Sequence, residues 1–127
     1  MQTNLKGKVA LVTGASRWLG HAIALSLGQA GADVALTDIL IEGQESDPEK
    51  LGQYSVLAGY FAQQGGVKTQ AGAQELQSMG SRSRAFKMDV ADYDEVGRVV
   101  RMIETKIGPI DILVNNAAVM DNLGKFA

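Results

Sequence analysis

Residues 13–20, Thr13-Gly14-Ala15-Ser16-Arg17-Trp18-Leu19-Gly20, have the types and spacing that could do chemistry. They follow an apolar run, Val9-Ala10-Leu11-Val12, that reads as a buried strand. They open a segment, Ile23 to Ala30, whose apolar residues recur at helical spacing. Strand, glycine-bearing turn and helix N-terminus form the arrangement that binds a nucleotide pyrophosphate. The turn lets the backbone come close to the phosphates, and the N–H groups and positive dipole end of the helix hold them.

Such a turn needs a sheet behind it, and the chain alternates accordingly. Val9 to Val12 is expected as strand one, and Leu19 to Ala30 as helix one, closed by Gly31. Ala32 to Thr37 reads as strand two, ending at Asp38, and Arg84 to Met88 as strand three, ending at Asp89. Asp92 to Ile107 places Val96, Val99, Val100, Ile103 and Ile107 on one helical face. Asp92 suits its N-cap with Glu95 three residues on, and Gly108-Pro109 stops it. Ile110 to Val114 is strand four. Strands alternating with helices predict an α/β fold with a parallel sheet and right-handed crossovers.

Between Asp38 and Asp89 the pattern is irregular. Val67 to Met79 predicts a short helix ending at Gly80. Residues 41–66 are more than a connection needs, since αβ and βα loops run to about 2–6 residues. Gly43 to Asp47 reads as loop, and Pro48 suits the first turn of a helix. Leu51, Tyr54, Val56, Leu57, Tyr60 and Phe61 then make the apolar stripe of an inserted surface helix.

At 127 residues the chain has room for one domain with a real core. A net charge of -2 and scattered basic residues argue against nucleic acid or an acidic membrane as partner. The absence of cysteine excludes disulfides and thiolate catalysis, and a single histidine weighs against a zinc cluster. No apolar stretch approaches the roughly 20 residues of a membrane span. The opening, Met1 to Lys6, is no signal peptide, so the expected compartment is the cytoplasm.

Three segments together resemble the short-chain dehydrogenase/reductase (SDR) family. Lys6-Gly7-Lys8-Val9-Ala10-Leu11-Val12-Thr13-Gly14-Ala15-Ser16-Arg17 is similar to its opening, and Asp89-Val90 to its acidic residue and valine after strand three. Asp111-Ile112-Leu113-Val114-Asn115-Asn116-Ala117-Ala118 is similar to its Asn-Asn-Ala-Gly segment after strand four. The wording is nearest to 3-oxoacyl-carrier-protein-reductase-like members. The resemblance implies that residues 1–127 are the N-terminal portion of an NAD(P)-binding domain. That domain would be a Rossmann-type doubly wound parallel sheet, truncated to about four strands in order 3-2-1-4, with residues 41–66 inserted after strand two.

By the same resemblance, Gly14, Ser16, Arg17, Trp18, Leu19 and Gly20 line the pyrophosphate and ribose. Asp89 and Val90 hold the adenine edge, and Asn115, Asn116 and Ala117 back the nicotinamide ribose and steady the central strands. Each acidic or amide residue has a plainer reading beside this one: Asp89 as a turn or capping aspartate, Asn115-Asn116 as a turn. Asp38, at the end of strand two, discriminates between cofactors. A carboxylate there accepts hydrogen bonds from ribose hydroxyls and repels a 2′-phosphate. Arg17 pulls the other way, because a guanidinium can pair with that phosphate. NAD(H) is therefore favoured, with NADP(H) as the alternative.

Two positions depart from the family, which has glycine where Trp18 and Ala118 stand. An indole at 18 either crowds the pyrophosphate or turns outward and leaves the main-chain donors in place. His21 has no carboxylate partner at helical spacing and reads as a partly exposed helix residue.

The implied activity is hydride transfer between nicotinamide and a small carbonyl or alcohol substrate, in a protein that is a homo-oligomer when complete. In the family a tyrosine donates the proton, a lysine four residues on lowers its pKa, and a serine binds the carbonyl oxygen. Tyr54, Tyr60 and Tyr93 all lack lysine at that spacing. This stretch is therefore expected to carry the cofactor half and to be inactive alone. The other reading is a non-catalytic nucleotide-binding fragment or regulatory module. A methyltransferase using S-adenosylmethionine fits the Thr13 to Gly20 spacing and Asn115-Asn116-Ala117 poorly.

Overall fold

β1 (Val9–Thr13) is buried along its whole length, as a strand covered on both faces must be. Ala10 and Val12 point to one face of the sheet, and Val9 and Leu11 to the other. The computed structural model describes residues 4–43 and 66–118. After β1 come α1 (Trp18–Gln29), β2 (Asp33–Asp38), α2 (Thr69–Ser78), β3 (Arg84–Lys87), α3 (Tyr93–Lys106) and β4 (Ile112–Val114).

The sheet runs β3-β2-β1-β4 with all pairs parallel, the expected Rossmann-like order. Its two faces are covered by different helices. On one, Ala10, Val12, Val34 and Leu36 pack with Ala24 of α1 and with Ala73 and Leu76 of α2. On the other, Val9, Leu11, Ala35 and Phe86 pack with Val99 and Ile103 of α3. Small residues set the helix spacing, since a β-carbon at Gly28 would run into the Leu76 side chain.

Local signals account for the element ends. Asp92 accepts a hydrogen bond from the Glu95 amide at 3.1 Å, the expected N-cap of α3. α1 closes with Gly31 at φ +108°. There the Ala32 amide bonds to Leu27 O and the Gly31 amide to Gly28 O, a Schellman motif. β4 begins two residues later than the apolar run suggests. The amide of Val9 is taken by the Asp111 carboxylate at 2.9 Å instead of by a strand carbonyl, so Ile110 and Asp111 precede the strand.

α2 is capped from a distance. The Glu42 carboxylate accepts from the amides of Gln70 and Ala71 at 2.8 and 2.7 Å, and Thr69 Oγ1 donates to Leu40 O at 2.7 Å. The N-terminus of this helix is therefore fastened to the end of β2. Residues 44–65, including the expected stripe from Leu51 to Phe61, lie outside the described residues.

Leu76 joins α1, α2 and the sheet with no exposed surface. Leu76→Ala should lower unfolding stability by about 2–5 kcal/mol. Urea denaturation followed by far-UV circular dichroism checks this, and a loss within error of zero would show that the contact is not a core contact.

Candidate functional site

The turn between β1 and α1 has no regular structure of its own and is held from several sides. The Ala15 amide bonds to Thr37 O at 3.0 Å, and the Ser16 amide to Asp38 Oδ2 at 3.1 Å. Ser16 O accepts from the Lys68 amide at 2.9 Å, just before α2. On the far side, Asn116 Nδ2 donates to Gly14 O at 3.1 Å. The ends of β2 and β4 and the start of α2 thus fix one loop.

Thr13 organises the junction with β4. Its hydroxyl donates to Val114 O at 3.3 Å and accepts from the amides of Asn116 and Ala117 at 3.1 and 3.0 Å. Thr13, Glu42 and Asp111 are not legible as site-shaping residues from spacing along the chain, because each acts on backbone far away in sequence. The only local signal was a hydroxyl immediately after an apolar strand.

The glycines of the turn are set by this packing. Gly14 has φ +66°, and a β-carbon there would come within 2.9 Å of Ala117 Cα. A β-carbon at Gly20 would fall on the Gly14 carbonyl oxygen and the Asn116 amide. The first turn of α1 therefore lies directly against the loop that precedes it.

α1 presents its N-terminus here with no side-chain cap and no acidic residue in the first turn. First-turn amides of an α-helix have no intrahelical acceptor and attract anions. Ser16 is fully buried, and its Oγ has no hydrogen-bond partner among the described residues. An unmatched hydroxyl beside such a helix end fits an anionic ligand group.

Trp18 has φ +52°, in the region where glycine is at ease. For a side chain this conformation costs about 1–2 kcal/mol. The backbone thus holds a glycine-type conformation while carrying an indole. The ring turns outward, 71% exposed, with the Arg17 guanidinium carbon 5.3 Å from its centroid. Partial burial lowers the Arg17 pKa from its ordinary value, and attraction to Asp38 works against that shift.

Asp38 ends β2 half-buried. Oδ2 accepts from the Ser16 amide, and Oδ1 accepts from the Leu40 amide at 2.9 Å. A carboxylate offers about four acceptor positions, so its shape is fixed while capacity for further donors remains. Asp89 follows β3 and forms a turn, with Oδ1 accepting from the Ala91 amide at 2.9 Å. Val90, 52% exposed, and Leu19, 65% exposed, present apolar side chains to solvent. Asn115 and Ala117 are exposed after β4, and Asn116 is half-buried. The positions named from the sequence therefore all follow the carboxyl ends of β1, β2, β3 and β4, which the parallel register brings to one edge. His21 lies elsewhere, against Gly72 of α2. Its Nδ1 is buried without a hydrogen-bond partner among the described residues. Among the described residues no group of acidic, histidine or cysteine side chains could hold a metal ion, and no helix is long and apolar enough to cross a membrane.

A turn and helix N-terminus at the carboxyl edge of a 3-2-1-4 parallel sheet define a Rossmann-like protein. A sequence model of the family described as short chain dehydrogenase matches residues 58–127. The chain belongs to the short-chain dehydrogenase family, whose members are oxidoreductases. It is 35% identical over 117 residues to a 2-dehydro-3-deoxy-D-gluconate 5-dehydrogenase from Formosa agariphila, covering 92% of this chain and 35% of that protein. It is 34% identical to the 3-oxoacyl-acyl-carrier-protein reductase FabG of Staphylococcus aureus, covering 91% and 38%. A Haemophilus influenza structure with bound NAD, provisionally assigned as a D-mannonate oxidoreductase, superposes with a TM-score of 0.67 at 26% identity. That match covers 94% of this chain and 34% of the other. The chain thus spans about a third of the length of the relatives it matches.

Gly20→Ala should destabilise the chain by about 1–3 kcal/mol through overpacking. Gly97→Ala should be neutral or stabilising by up to about 1 kcal/mol, because its β-carbon would meet only the Arg101 guanidinium, at 3.4 Å. Parallel urea melts compare the two, and equal midpoints would refute the packing of Gly20 on Gly14.

Proposed function

We propose that this chain forms the dinucleotide-binding part of an NAD(P)-dependent oxidoreductase acting on a small carbonyl or alcohol substrate, with NAD(H) preferred. The observation that carries this reading is the pinned turn after β1. It sets a helix N-terminus that lacks a side-chain cap beside the buried Ser16 hydroxyl, which has no hydrogen-bond partner among the described residues. Gly14 and Gly20 keep the loop tight against α1, and the first-turn amides with Ser16 bind the pyrophosphate. Asp38 accepts from the adenosine ribose hydroxyls and disfavours a 2′-phosphate. Arg17, Trp18 and Leu19 flank that end and the pyrophosphate. Asp89 and Val90 border the adenine, and Asn115, Asn116 and Ala117 border the nicotinamide ribose.

When bound, the nicotinamide supplies or takes up hydride. Reduction of a carbonyl also needs a proton donor of suitable pKa at the developing oxyanion. No Tyr-x-x-x-Lys occurs in these 127 residues, so on this reading the chain by itself binds dinucleotide without turnover. Cytoplasmic location and homo-oligomerisation of the complete protein belong to the same proposal.

Titration of the 127-residue chain with NADH and NADPH, followed by nicotinamide fluorescence, tests the reading. Saturable binding of NADH, with NADPH weaker, is expected. Asp38→Asn should narrow that preference by about tenfold, equivalent to about 1.4 kcal/mol, because it removes the charge and keeps an acceptor for the Ser16 amide. Binding of neither dinucleotide would overturn the assignment for this chain, and an unchanged preference in Asp38→Asn would remove the role given to Asp38.

A further inference from the structure

Among the described residues, Trp18 is the non-glycine residue held at positive φ. A bulky side chain is an outlier in that region and persists only where its surroundings compensate. The structure supplies a compensating contact. The Arg17 guanidinium carbon lies 5.3 Å from the indole centroid, within the roughly 6 Å over which a cation is drawn to a ring face.

Exposure shows which partner supports which. Arg17 is half-buried, whereas Trp18 is 71% exposed, so the indole forms an outer wall against which the guanidinium rests. The negative charge of Asp38 also acts on Arg17, and the Asp38 carboxylate is itself locked by the Ser16 and Leu40 amides. The cation is thus held by a π face and attracted by a carboxylate. Without the ring, the guanidinium would lose that contact, and its time at this position would fall.

We propose that Trp18 is a positioning residue for Arg17, fixing the guanidinium at the ribose end of the site so that a 2′-phosphate is tolerated beside Asp38. This rests on the dinucleotide reading above and deepens it. Asp38 alone would reject a 2′-phosphate strongly. A guanidinium kept in place offsets part of that repulsion and offers donors in a fork that matches phosphate. Trp18 therefore sets how far the chain discriminates between the two dinucleotides, and contributes little to binding the part they share.

The test compares variants of the full chain, each titrated with NADH and NADPH. Trp18→Leu and Trp18→Phe both keep a β-carbon at positive φ, so they share the backbone strain, but only phenylalanine keeps a ring face. Trp18→Leu should weaken NADPH about five- to tenfold more than NADH, while Trp18→Phe should retain most of the wild-type ratio. Arg17→Met should reproduce the leucine result, and adding Trp18→Leu to it should change the ratio no further. Trp18→Gly should weaken NADPH relative to NADH to the same extent while melting at a higher temperature, because its strain is relieved. Equal ratios in the leucine and phenylalanine variants, or equal loss of both dinucleotides, would overturn the proposal. Wild-type protein that binds neither dinucleotide would overturn the dinucleotide reading as well; wild-type binding with a ratio indifferent to residue 18 would overturn this inference alone.

Discussion

The shape of the loop after β1 depends on hydrogen bonds it cannot make with itself. Its amides at Ala15 and Ser16 are taken by the end of β2, and its carbonyls at Gly14 and Ser16 by Asn116 and Lys68. The partners from β2 and β4 are in place because a parallel sheet brings strand ends to the same edge, and Lys68 arrives at the start of α2. Buried backbone polar groups must be paired, and here the pairing is also what shapes the loop. The Thr13 hydroxyl extends the same principle, tying β1 to Val114, Asn116 and Ala117.

Close packing follows from that pinning. Because Asn116 is drawn onto the Gly14 carbonyl, no room is left for a β-carbon at Gly20, and little at Gly14. α1 can then start immediately beside the loop, and its dipole end is aimed at the edge where Asp38 stands. Trp18 shows what the arrangement tolerates. The backbone retains a left-handed residue despite the side chain, and the indole escapes into solvent. The loop geometry is evidently imposed by its neighbours strongly enough to carry about 1–2 kcal/mol of local strain.

Asp38 and Asp89 both serve the structure by fixing nearby backbone. The Asp38 oxygens hold Ser16 and Leu40, and an Asp89 oxygen holds Ala91. A turn aspartate and a ligand-facing aspartate are therefore compatible readings, because a carboxylate has acceptor capacity beyond its backbone partners. The same economy places Glu42 on the amides of α2, where it closes the helix across an intervening stretch of chain.

Much of this protein was legible in its sequence. Periodicity located the strands and helices, Asp92 with Glu95 marked a helix start, and Gly31 marked a helix end. Those signals are local, since hydrophobic spacing and capping act within a few residues. The three motifs also identified the family. Other features arose only on folding. That Asp111 rather than a carbonyl would meet Val9, that Glu42 would cap α2, and that Thr13 would gather the end of β4 all depend on contacts between residues far apart in sequence. The conformation of Trp18 belongs to the same class. Its residue type argues against a positive φ, and its surroundings in the folded chain hold one. Local chemistry chose the elements, and the meeting of strand ends at one edge chose the geometry of the site.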